Sequence, residues 1–192
     1  MKKQMDDLIL VIDMQNVYLP NQPWGCKNIK KAIFNILTII KQYHKNIIFT
    51  KFIASENPKG VWKEYNKINE EIIKNKFLNE IISDFSVLSK KFPCYNKSTY
   101  SSMTVPQIRE EALKHKRLVI TGVVAECCVL STCFEAIDLG CKIIYLSDAV
   151  AGIDDDTEKS VVKVLIGLFP LHVEIMTTSQ YLKSLGNEND ED

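Results

Sequence analysis

A doubly wound, three-layer α/β/α domain around a six-stranded parallel sheet, Rossmann-like in outline, is the architecture that this chain's patterning predicts. Three features point to it. Short apolar runs alternate with segments whose apolar residues recur every three or four positions. The clearest run is uninterrupted rather than alternating, which suits a parallel strand covered on both faces. And 192 residues suffice for one such domain and leave little room for a second. Because each strand is followed by a helix, the connections must be crossovers, which pack right-handed and place helices on both faces.

The elements follow in order. Leu8 to Ile12 is the first strand. Ile29, Ala32, Ile33, Ile36, Leu37 and Ile40 mark one helix face, and Asn46 to Lys51 forms the second strand. From Phe52 to Lys90 the chain is rich in Lys, Asn and Glu with isolated apolar anchors (Trp62, Tyr65, Ile68, Ile72, Phe77, Ile81), which predicts short helices and a mobile loop. Phe92 to Lys97 is a short strand that tolerates Pro93 near its start. Thr104-Val105-Pro106-Gln107 supplies a capping residue, a first-turn proline and a glutamine, so a helix is expected from Val105 to Lys116. Strand Leu118–Ile120, a helix over 126–139 closed near Gly140, strand Lys142–Leu146, a helix over 155–168, strand His172–Ile175 and a short helix over 179–185 complete the set. The domain is expected over 1–186, with 187–192 an acidic, solvated, disordered tail.

Composition excludes several function classes. Twenty-four basic residues balance twenty-four acidic ones, and no basic stripe with interleaved aromatics tracks a phosphate backbone, so nucleic acid is not the expected partner. No stretch approaches the ~20 apolar residues of a membrane span, and Asp13 interrupts the first apolar run before it could serve as a signal-peptide core. A cytoplasmic location without membrane attachment is expected. The six cysteines lack CxxC spacing and the three histidines are scattered, so no disulfide framework, metal site or other cofactor is expected. Asp154-Asp155-Asp156 lacks the glycine and terminal glutamate of a calcium loop and fits acidic residues at a helix start.

In a sheet of this kind, active sites lie beyond the carboxyl ends of the strands. That rule selects Asp13 after the first strand, Lys97 at the end of the third and Cys128 after the fourth. A cysteine at a helix start and beside a lysine is expected to ionise more readily than an ordinary thiol. Asp13 could take its proton and later return one to a leaving group. Backbone amides of Ala125 and Cys128 are candidates for an oxyanion hole, and Gln15, Trp24, Phe52, Trp62 and Tyr100 for pocket walls.

Leu10-Val11-Ile12-Asp13-Met14-Gln15-Asn16, Lys97-Ser98-Thr99-Tyr100-Ser101-Ser102-Met103 and Gly122-Val123-Val124-Ala125-Glu126-Cys127-Cys128-Val129, with Ser147-Asp148-Ala149 downstream, resemble the motifs of isochorismatase-like cysteine hydrolases from about Leu8 to Leu182. The resemblance implies that Cys128, not Cys127, is the nucleophile, that the Val124–Ala125 peptide is cis, and that the protein forms a homodimer or larger homo-oligomer. The implied substrate is a small amide or carbamoyl compound. Departures narrow this: Phe49 to Ser55 lacks the Asp-x-His element of zinc-dependent nicotinamidases in this family, and vinyl-ether-cleaving relatives generally lack the cysteine. Ala125 replaces the commoner Thr, Glu126 the commoner Asp or Asn, Met103 the usual Phe, and Lys51 a frequent Arg. A catalytically silent binding protein on the same scaffold is the alternative expectation.

Overall fold

A computed structural model describes residues 6–187 of the chain. Six parallel strands form one sheet in the order β3-β2-β1-β4-β5-β6, where β1 is Asp7–Ile12, β2 Ile47–Phe52, β3 Cys94–Lys97, β4 Arg117–Val123, β5 Lys142–Ala151 and β6 Val173–Met176. The order reverses direction at β1 and β4, so the crevice between their carboxyl ends is the topological switch point of the sheet.

Strand β1 is central, and every residue of it is buried. Its side chains still divide by pleat. Ile9 and Val11 join a core under α1 (Ile29–Gln42) and α9 (Thr178–Asn187), whereas Leu8, Leu10 and Ile12 join the core under α6 (Pro106–Ala112), α7 (Leu130–Asp138) and α8 (Asp155–Ile166). Two cores separated by one sheet are what a three-layer sandwich requires. The expected continuous apolar run is thus explained by burial on both faces.

The region over 53–91 is a chain of short elements: α2 (Trp62–Ile68), α3 (Glu70–Lys74), α4 (Lys76–Asn79), a 3-10 turn (Ser83–Phe85) and α5 (Leu88–Lys91). Neither α2 nor α3 contains a fully buried residue. The acidic start expected for α8 is present, with the Asp154 carboxylate accepting the Thr157 amide at 2.8 Å; the cap expected from Thr104 is not made, because Val105 takes the N-cap position of α6 and the Thr104 hydroxyl donates to the Ser101 carbonyl at 2.8 Å.

Several element limits differ from the sequence expectation. Helix α6 ends at Ala112 rather than near Lys116, because the chain must turn to bring Lys116 N–H to the Asp6 carbonyl, 2.9 Å, and start β4. Strand β4 runs on to Val123 and β5 to Ala151, and they re-pair as Gly122↔Val150 and Val123↔Ala151 after a register shift. The helix expected over 126–139 begins as a π-helical turn, Ala125–Val129, before α7. Such widened turns recur at functional sites. Asn187 ends α9, and the rest of the expected acidic tail lies outside the described residues.

Candidate active site

The switch-point crevice brings together the three side chains chosen by strand position. Asp13 leaves β1 with φ of 51°, a left-handed conformation that carries strain for any residue but glycine and is best tolerated by Asp and Asn. Its neighbour strand makes room for it. Gly122 on β4 has φ of 104°, and a Cβ there would lie 2.1 Å from the Ile12 carbonyl oxygen. Only glycine permits that approach. Thr50, near the end of β2, accepts the Asp13 amide at 3.2 Å and donates to Asp13 Oδ1 at 2.7 Å, so one hydroxyl fixes both backbone and carboxylate.

Lys97 ends β3 and reaches Asp13 Oδ2 at 2.6 Å; both side chains are wholly shielded from solvent. Lys97 Nζ also donates to the Thr99 carbonyl at 3.1 Å and lies 5.6 Å from the centre of the Phe52 ring. Burial works to lower the lysine's affinity for its proton, but Asp13 and Cys128 outweigh it, and the net direction is upward.

Cys128 lies in the π turn, 4% exposed, close enough to Asp13 and Lys97 to interact with both. Here the sequence expectation of a readily ionised thiol is corrected. Burial first, and then the Asp13 charge, push the thiol up, and Lys97 opposes them without prevailing. Both effects favour the protonated sulfur. Asp13 Oδ2 is in ionic contact with Lys97 without a well-directed hydrogen bond.

The cis peptide lies between Val123 and Val124, not between Val124 and Ala125 as the resemblance implies. Val123 is the last residue of β4 and Val124 caps the π turn, so the strand-to-turn joint falls one bond earlier. The Val124 carbonyl accepts the amides of Cys127 and Val129, each at 3.1 Å, and passes over that of Cys128. Glu126 accepts the Ile153 amide at 3.3 Å.

Trp24, Phe52, Trp62 and Tyr100 join one chain of ring contacts beside Lys97, with centroid separations of 6.2 Å (Trp24–Phe52), 6.2 Å (Phe52–Trp62) and 5.0 Å (Trp62–Tyr100). Tyr65 and Tyr18 extend it, Tyr65 at 5.1 Å from Trp62 and Tyr18 at 5.9 Å from Trp24. Burial raises both phenols. Sequence reading did not select Tyr18 or Thr50 for the site, and took Tyr65 only as an apolar anchor. The strand-end rule that chose Asp13 would have found Thr50, one residue short of Lys51. Gln15 holds the wall from behind: its Oε1 accepts the Phe52 amide at 2.7 Å, and its Nε2 donates to the carbonyls of Phe52, 3.1 Å, and Asn79, 2.9 Å. With both N–H donors spent on backbone, Gln15 positions Phe52 rather than facing a ligand.

Among the described residues no three His, Cys, Asp or Glu side chains cluster as a metal ion would need, and no helix is long and apolar enough to cross a membrane. Comparison with solved structures finds the same fold. A cysteine hydrolase from Pseudomonas syringae pv. phaseolicola superposes with a TM-score of 0.80 at 17% identity, covering 98% of this chain and 100% of that one. An isochorismatase-like hydrolase from Alkaliphilus metalliredigens gives 0.73 at 20% identity, over 93% of this chain and 98% of that one. A nicotinamidase from Bacillus subtilis gives 0.72 at 15%, over 89% and 99%. Among curated protein sequences, none matches the chain. The family model described as Isochorismatase domain matches residues 7–180, and the chain belongs to the isochorismatase family of hydrolases.

Proposed function

We propose that this protein is a metal-independent cysteine hydrolase that cleaves the C–N bond of a small amide, carbamoyl or ureido compound. One observation carries the reading: a buried thiol beside a carboxylate that is held by a buried ammonium. Among the described residues no three His, Cys, Asp or Glu side chains cluster, and no step of the proposed reaction calls on a metal.

The first step is attack of Cys128 Sγ on the substrate carbonyl carbon as its proton passes to Asp13 Oδ2. Transfer accompanies attack because the resting thiol resists ionisation. Lys97 keeps its charge throughout, steadying the developing thiolate and orienting Asp13. The tetrahedral oxygen takes hydrogen bonds from the backbone amides of Ala125 and Cys128, and one such donor is worth about 2.7–4 kcal/mol of barrier. Collapse breaks the C–N bond, and ammonia or amine leaves with the proton from Asp13. Water then gives a proton to Asp13 and attacks the thioester, releasing the acid and restoring the thiol. Trp24, Phe52, Trp62, Tyr65 and Tyr100 form an apolar wall for the substrate's body.

The test is ammonia or amine release from a panel of small amides, carbamates and ureas by wild type and Cys128→Ala. Wild-type hydrolysis, abolished in the variant, is expected, together with an acyl mass adduct on Cys128 in rapidly quenched samples. Equal activity in the variant rejects the mechanism. The silent-binder reading draws support from the near-complete burial of Cys128; absence of both hydrolysis and adduct across the panel would select it.

A further inference from the structure

We propose that a groove behind the β2–β3 edge is a second binding site, for a small molecule bearing a phosphate or pyrophosphate group. The groove encloses about 710 Å³, within the range of roughly 300–1,000 Å³ typical of small-molecule sites. It shares no lining residue with Asp13, Lys97, Cys128 or the aromatic wall.

Its lining is net positive. Lys51 of β2, Lys76 of α4 and Lys90 of α5 converge on it, opposed by one carboxylate, Glu80. Six described lysines (Lys27, Lys74, Lys97, Lys114, Lys142 and Lys159) each hold a carboxylate, and the others, inside the groove and outside it, do not. Among the described residues, Lys51, Lys76 and Lys90 hold none. Ammonium groups of like sign around one space repel, and a ligand with more than one negative charge relieves them where a monoanion leaves an excess. Ser86 and Ser89 add hydroxyls to the same lining. A phosphate at neutral pH, with ~1.5–2 negative charges and three strong acceptor oxygens, matches that donor set, and lysine serves it as a point charge.

One wall of the groove is fixed in advance. The Asn79 side chain donates to the carbonyls of Ile72, Ile73 and Asn75 at 2.8, 3.1 and 2.7 Å, and the Asn79 backbone carbonyl accepts from Gln15 Nε2 at 2.9 Å. A wall already ordered spares the ligand the entropy of ordering it.

Inorganic pyrophosphate is the probe, titrated calorimetrically into the full chain at constant ionic strength. Saturable binding at one site is expected. Lys51→Gln and the double variant Lys76→Gln/Lys90→Gln should each weaken it by roughly tenfold or more, as loss of a charge-assisted hydrogen bond does. Lys163→Gln, a charge change on α8 outside the groove, should leave it unchanged. Circular dichroism establishes that each variant is folded; Lys76 and Lys90 are exposed, so the double variant tests the site even if Lys51→Gln does not fold. Absence of saturable heat up to millimolar probe overturns the proposal, as does binding that the double variant leaves intact. Equal affinity for citrate overturns the assignment to phosphate.

Discussion

Strand β1 carries a buried carboxylate at each end, and the two are built for opposite purposes. Asp7, at the amino end, receives Arg117 as a fork, with Nε to Oδ1 at 2.7 Å and Nη2 to Oδ2 at 2.8 Å, and Tyr181 donates to Oδ2 at 2.9 Å. Every oxygen is satisfied by a cation that does not deprotonate. Asp13, at the carboxyl end, meets a lysine at one oxygen only, and that oxygen accepts no directed hydrogen bond. A thiol stands beside it, and the backbone beneath it is left-handed. The saturated pair can only hold β1, β4 and α9 together. The other pair is the one that the proposed mechanism asks to move a proton.

Asp13→Asn gives the largest expected effect. Hydrolysis should fall by ~10²–10⁴-fold, the usual contribution of a positioned acid–base group. Removing the Asp13 charge takes away one of the two forces that raise the Cys128 thiol while Lys97 remains, so alkylation of Cys128 should become faster as turnover disappears. Turnover retained in this variant would erase the distinction between the two ends. At the other end, Arg117→Ala leaves the Asp7 charge buried and unpaired, and a loss of about 3–5 kcal/mol in urea unfolding is expected. The rate per folded molecule should not change. A rate that falls in step with stability would show that the amino end is coupled to the chemistry.

The sequence made the carboxyl end more legible than the amino end. Asp13, Lys97 and Cys128 could be chosen because strand ends at a switch point are where ligands bind, and the residue types were chemically complementary. Asp7 gave no such signal: its partners Arg117 and Tyr181 lie 110 and 174 residues away, and only the register of β1 against β4 brings Arg117 opposite. The ionisation of Cys128 was read with the wrong sign. Helix position and a nearby lysine both favour a thiolate, but sequence does not show that the sulfur is buried or that the carboxylate stands equally near. Gln15 was misread for a related reason, since a side chain's hydrogen bonds depend on what packs behind it, here Phe52 and Asn79. The segment 53–91 yielded its short helices but not its partner contacts, because its apolar residues show no sustained period to aim them.

Thr50→Val probes how tightly the carboxyl end is held. The substitution strips the Asp13 amide and Oδ1 of their shared hydroxyl, both buried, and a stability loss of about 1–3 kcal/mol is expected. Activity should drop roughly tenfold through misplacement of the carboxylate. Full activity with lost stability would mean that Lys97 alone positions Asp13.

The smallest expected effect discriminates most sharply between thiol and thiolate at Cys128. A group whose folded pKa is raised contributes stability that is fully present below its unfolded value and is lost as pH rises towards the folded one. Cys133, which burial alone shifts, sets the scale: it is pushed from 9.0 to about 12. By pH 10 the unfolded state has released that proton and the folded state has not, a loss of about 1.4 kcal/mol per group. Cys128 is raised in the same direction, by burial and then by Asp13. Unfolding measured at pH 8 and pH 10 should therefore show a smaller alkaline loss in Cys128→Ala than in wild type, by about as much as in Cys133→Ala. Were Cys128 a thiolate in the folded protein, its folded pKa would be depressed and the sign would invert. Stability from that group would then grow as pH rises towards 9, and Cys128→Ala would lose the gain instead of relieving a loss. A difference of that inverted sign would replace proton transfer to Asp13 during attack with a preformed nucleophile held by Lys97 alone.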